Sequence, residues 1–96
     1  MTLRELREMW ENAWGTEPVS APRPRHPHRE AVALMVLAEL DPTPRLQGFA
    51  YTKGSELYFT ASPEEVAARA TPEIVRELID AGVFYDEGED AFYMFV

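Results

Sequence analysis

Apolar positions change period from one segment of the chain to the next, and each period predicts an element. Over residues 2–14, Leu3, Leu6, Met9, Trp10, Ala13 and Trp14 recur at steps of three and four, the spacing of one helical face, with Arg4, Arg7, Glu8 and Glu11 off it. Thr2 and Glu5 form a capping box and Gly15 a stop, so a helix is expected across 2–14. Residues 31–38 read A-V-A-L-M-V-L-A, apolar all round, which predicts a helix over 29–40 buried on most sides and ended by Asp41-Pro42-Thr43-Pro44. Residues 46–51 and 56–60 then read as strands about a T-K-G-S turn, with Phe49 and Tyr51 facing one way and Leu57 and Phe59 completing the pairing.

The last third carries the clearest punctuation. Ser62 with Pro63 and Glu65, then Thr71 with Pro72, are two helix starts in quick succession, predicting helices over 63–69 and 72–81. In the second, Ile74, Val75, Leu78 and Ile79 make an apolar stripe, Gly82 takes the left-handed closing position, and Val83 is placed to touch Leu78. Two aromatic-rich runs, 83–85 and 92–96, flank Asp86-Glu87-Gly88-Glu89-Asp90 and predict a hairpin over 83–96. Leu34, Met35, Leu37, Val66, Leu78, Ile79 and Phe84 are the expected core.

Helix, turn, helix, hairpin is the element order of a winged helix-turn-helix, and E-I-V-R-E-L-I-D-A-G-V-F-Y-D-E-G-E-D-A-F-Y-M-F resembles the recognition helix and wing of that family. The resemblance spans roughly the C-terminal third of the chain and rests on pattern. It implies an α+β fold: a small winged-helix-like domain over 29–96, preceded by an amphipathic helix over 1–15 and a proline-rich linker over 16–28. The family often takes one strand from between its first and second helices, so the hairpin over 46–60 is an elaboration. The chemistry departs from a DNA reader. The helix exposes Glu73, Arg76, Glu77 and Asp80 where Arg, Lys, Asn or Gln would be needed, and the wing carries Asp86, Glu87, Glu89 and Asp90 with no base nearby in sequence.

Charge sharpens that departure. The net charge is −8, and residues 62–96 hold nine acids against Arg69 and Arg76, while residues 1–61 hold eight acids and seven bases. The acidity therefore belongs to the helix and wing, a distribution that disfavours nucleic acid and favours a basic protein surface, or simply keeps a small protein soluble. The one basic patch lies in and beside the proline-rich stretch, with Arg23, Arg25, His26, His28 and Arg29. This arm either contacts phosphate or an acidic surface, or lies across the acidic unit of its own or a neighbouring copy. Lysine appears once, at Lys53, against eight arginines, a bias that fits a GC-rich genome.

Ninety-six residues make one domain, and the absence of cysteine removes disulfides, thiolate metal sites and cysteine nucleophiles. No basic flank with an apolar run opens the sequence, and the longest apolar run, 31–38, is too short to span a membrane, so a cytoplasmic protein with no membrane contact is expected. No phosphate-cradling loop, catalytic triad or metal motif is present. His26 and His28 lack further ligands, and the wing spacing misfits a calcium loop. Tyr51, Tyr58, Tyr85 and Tyr93 read as half-buried sheet positions.

The sequence thus points to a non-enzymatic interaction module without cofactor, a small acidic regulator or phage-type host-modulating protein. Glu73, Glu77, Asp80, Asp86, Glu87, Glu89 and Asp90 are its partner-binding face. Leu6, Trp10 and Trp14 either pack back on their own domain or dock in trans, as in a homodimer. One alternative is a DNA-binding regulator using Arg23, Arg25 and Arg29; others are a nucleic-acid mimic and a structural subunit of a larger assembly.

Overall fold

The computed structural model describes residues 1–14, 28–46 and 48–95, with Trp14 by its backbone alone. It is an α+β domain: helices α1 (Leu3–Glu11), α2 (Arg29–Leu40), α3 (Pro63–Arg69) and α4 (Pro72–Asp80), and strands β1 (Ala50–Lys53), β2 (Glu56–Phe59), β3 (Phe84–Asp86) and β4 (Ala91–Phe95). A short 3-10 turn, Asn12–Trp14, extends α1. The strands form one antiparallel sheet in the order β1-β2-β4-β3.

The helix starts follow the side-chain chemistry. Thr2 and Glu5 close a full capping box on α1, while Ser62 and Thr71 accept the N–H groups of Glu65 and Ile74 at the heads of α3 and α4. At the end of α4, Gly82 takes φ +87°. Its N–H donates to the Ile79 carbonyl at 3.0 Å, and the Val83 N–H donates to the Leu78 carbonyl at 3.1 Å, the paired bonds of a Schellman closure. The chain is thereby turned from α4 straight into β3.

One face of α1 (Leu6, Trp10), one face of α2 (Val32, Ala33, Val36, Leu37, Leu40), Val66, Val75 and Leu78 meet Phe59, Phe92 and Met94 of the sheet in a single core. Asp41, also buried, ties this core's rim together. Its carboxylate accepts the backbone N–H of Ser62 at 2.7 Å and of Thr43 at 3.3 Å and pairs with Arg45, which also donates from Nε to the Thr60 carbonyl at 2.9 Å. The end of α2 is thus fixed to the start of α3. Burial pushes the Asp41 pKa up, but the hydrogen bonds from Ser62, Thr43 and Arg45 outweigh it and hold the value at about 2.

Several expectations need correction. Leu34 and Met35 are 37% and 41% exposed, because only one side of α2 meets α3, α4 and the core, leaving the other apolar side outward. Ile79 and Phe84 are only partly buried, whereas Leu37, Val66 and Leu78 are sealed. The first strand starts at Ala50, and Leu46 stands fully exposed in a turn ahead of Gly48, whose φ of +84° breaks the extended path. Tyr51 pairs with Tyr58 on the sheet's outer face, while Phe49 joins Phe59 and Leu57 on the core side.

Candidate functional site

Alternation along the strands puts a second set of aromatic side chains on the face away from the core. Tyr51, Tyr58, Tyr93 and Phe84 are register partners, one from each strand, so their rings form a row across the whole sheet. Ring centroids lie 5.6 Å apart for Tyr51 and Tyr58, 5.3 Å for Tyr58 and Tyr93 and 5.5 Å for Tyr93 and Phe84, with interplanar angles of 15°, 24° and 24°. Phe95 meets Tyr93 and Phe84 edge-on. Tyr51 is 47% and Phe95 57% exposed, yet Tyr58, between its neighbours, is only 4% exposed while belonging to no part of the core.

Carboxylates crowd this row. The Tyr58 hydroxyl lies 3.4 Å from Asp86, and its pKa is raised first by its hydrogen bond to Glu56, then by burial and the charges of Glu56 and Asp86. Tyr93 is raised by burial, then by the same two charges. The Lys53 ammonium sits 5.7 Å from the Tyr58 ring centroid and 3.7 Å from Glu89, so the row already holds one cation from its own chain.

At the wing, Asp86 shapes the turn by accepting the N–H groups of Gly88 at 3.0 Å and Glu89 at 3.2 Å. Asp90 takes φ +50°, a left-handed conformation that Asp tolerates in turns, and accepts the Tyr85 hydroxyl proton. That hydroxyl in turn accepts from Arg7 Nε at 3.3 Å. The Arg7 guanidinium also lies 4.0 Å from Glu87 and 3.8 Å from Asp90. Bases absent from the local sequence are therefore supplied through space by Arg7 and Lys53. Asp86, Glu87, Glu89 and Asp90 still outnumber these two cations, and Glu87, Glu89 and Asp90 remain exposed.

The remaining expected site residues divide. On α4, Glu73 and Asp80 are exposed, with Asp80 3.0 Å from Arg76 Nε. Glu77 is 6% exposed and is no part of an open acidic face. It stands about 60° round the helix from Ile74, at the margin of the apolar stripe, where packing covers it. Leu6 and Trp10 are buried in cis: the Trp10 indole donates to the Val83 carbonyl at 2.9 Å and packs 5.4 Å from Phe92. They are not a docking face. The Trp14 side chain, Arg23, Arg25 and the rest of the linker up to residue 27 lie outside the described residues. Arg29 is exposed at the start of α2.

Two shallow clefts flank Trp10 at the β3 side, of about 260 Å³ (with Ala13, Ile79 and Val83) and about 230 Å³ (with Arg7, Glu11 and Glu87). The first is lined by no titratable side chain, whereas the second brings Glu11, Glu87 and the Arg7 guanidinium to the Tyr85 hydroxyl. Among the described residues no group of His, Asp or Glu is placed to hold a metal ion, and no helix is long and apolar enough to cross a membrane. Sequence reasoning missed the aromatic row as a unit. Its signal was present in β2 (E-L-Y-F) and β4 (A-F-Y-M-F), which are apolar at both parities, a pattern of strands with two engaged faces.

Comparison with protein-family models, curated proteins and solved structures returns no match.

Proposed function

We propose that this protein is a non-enzymatic, cytoplasmic interaction module of winged-helix-like architecture that binds a basic surface on a protein partner. The observation that carries the reading is the surplus of exposed carboxylate around the hairpin of β3 and β4: Glu87, Glu89 and Asp90, with Asp86 at their base, against Arg7 and Lys53. The architecture is supported by α3, turn, α4 and the β3–β4 hairpin, with β2 alongside β4 and β1 as the additional strand. On such a scaffold phosphate meets the wrong charge. Arg76, the base of α4, has a side chain only 17% exposed and held by Asp80. Dimerisation through α1 has no support, since Leu6 and Trp10 are spent inside the domain.

The test is the association rate with a purified partner identified by affinity capture and mass spectrometry. Association should slow as salt rises and slow again in a Glu87→Gln, Glu89→Gln variant of unchanged melting temperature. A partner indifferent to both changes overturns the reading. So does salt-sensitive, submicromolar binding to duplex DNA that disappears when Arg23, Arg25 and Arg29 are changed to Ala, which would establish a DNA-binding regulator instead.

A further inference from the structure

The two edges of the sheet are treated differently. At β3, α1 packs beside the strand: Trp10 caps the carbonyl of Val83, the residue before it, and Arg7 reaches the Tyr85 hydroxyl. At β1, Tyr51, Thr52 and Lys53 are all exposed. The Thr60 N–H donates to the Phe49 carbonyl at 2.8 Å, so residues 49, 51 and 53 bond inward to β2. By the alternation of an antiparallel ladder, Ala50 and Thr52 turn their N–H and C=O groups outward, where no strand among the described residues pairs with them.

We propose that this open edge receives an extended, arginine-bearing segment of a protein partner as a fifth strand, with an arginine laid on Tyr51, on the face that also carries Glu56 and Asp86. The proposal rests on the protein-binding reading above and names its partner's chemistry. Tyr51 stacks on Tyr58 by one ring face, and because β1 is the edge strand its other face meets solvent. A guanidinium is flat and weakly hydrated, so it covers such a ring and still donates to a carboxylate; an ammonium cannot do both as well. The carboxylates of this face lie at the neighbouring residues, Glu56 and Asp86 at Tyr58 and Glu89 at Lys53, and the placement of Lys53 on Tyr58 and Glu89 shows how this surface holds a cation. Backbone pairing supplies affinity and the arginine supplies selectivity. Nucleobases fit the surface poorly. The inner rings already stack on one another, and Lys53 is the one cation beside the row among the described residues.

The experiment follows backbone amide resonances of the isotope-labelled full chain during titration with a peptide of alternating threonine and arginine, its lysine counterpart, and single-stranded DNA. Shifts should centre on residues 50–53, with the Thr52 amide protected from exchange. The arginine peptide should bind about five- to tenfold more tightly than the lysine peptide. Tyr51→Ala should erase that preference while lowering the melting temperature only slightly, through the lost stacking on Tyr58, and Thr52→Pro, which removes an outward N–H, should weaken both peptides. Equal affinity for the two peptides overturns the proposal, as does tighter binding of DNA at the same amides. Shifts confined to residues 86–90 would end it while leaving the acidic wing as the binding surface; no shifts with either peptide would count against both readings. If Arg23→Ala with Arg25→Ala moves the β1 resonances of the peptide-free protein, the occupant is the chain's own linker. If those resonances depend on protein concentration, it is a second copy.

Discussion

The two faces of the sheet are built from nearly the same residues and do opposite things. On the inner face Phe59, Phe92 and Met94 are sealed under the helices, and on the outer face Tyr51, Tyr58, Tyr93 and Phe84 stack in a row with Phe95 edge-on, Tyr51 and Phe95 being exposed and Tyr58 buried by its neighbours. Aromatic content does not separate them. What does is the polar company: on the inner face only the Tyr85 hydroxyl, at the rim, meets a carboxylate, Asp90, whereas Glu56, Asp86 and Lys53 accompany the outer row.

The sharpest way to break this comparison is truncation on both faces. Phe92→Ala should cost about 3 to 5 kcal/mol in urea unfolding, because it leaves a cavity between Trp10 and the sheet. Tyr93→Ala, its neighbour on the other face, should cost about 1 to 2 kcal/mol, the loss of stacking on Tyr58 and Phe84 and of partial burial. Equal losses would mean that the outer face is a second core.

Carboxylates sharpen the same contrast. Asp41 has its pKa lowered from 3.8 to about 2, so its contribution is fully present above 3.8 and is lost as pH falls towards 2. The shift corresponds to about 2 kcal/mol. Asp41→Asn should remove about that much stability at neutral pH and flatten the acid limb of the melting curve; an unchanged acid limb would deny the buried hub. At the other extreme, Glu87→Gln with Glu89→Gln should change stability by no more than about 0.5 kcal/mol, because their pairs with Arg7 and Lys53 are exposed and loosely spaced. Asp86→Ala should cost more than that pair together, since Asp86 organises the turn.

Much of this was legible in the chain. Thr2, Ser62 and Thr71 announced their caps, and Gly82 with Val83 announced the end of α4, because these signals act over a few neighbouring residues. Leu34 and Met35 were misplaced for the opposite reason. A helix apolar all round carries no marker of which side will be covered, and that side was chosen by where α3 and α4 arrive. The wing was read as a cluster without a base, yet Arg7 reaches it from the far end of the sequence.

Local chemistry by itself determined the α+β composition, the positions of the helix starts and turns, and the acidity of the C-terminal unit, since capping, φ preference and charge belong to single residues and their neighbours. Tertiary structure alone decided that Trp10 serves its own core, that Glu77 is covered, that Tyr51, Tyr58, Tyr93 and Phe84 line up across four strands, and that α1 packs beside β3 while β1 stands exposed at the other edge. Each of those depends on strand register and on which faces the helices cover, and both are set by contacts between residues far apart in the chain.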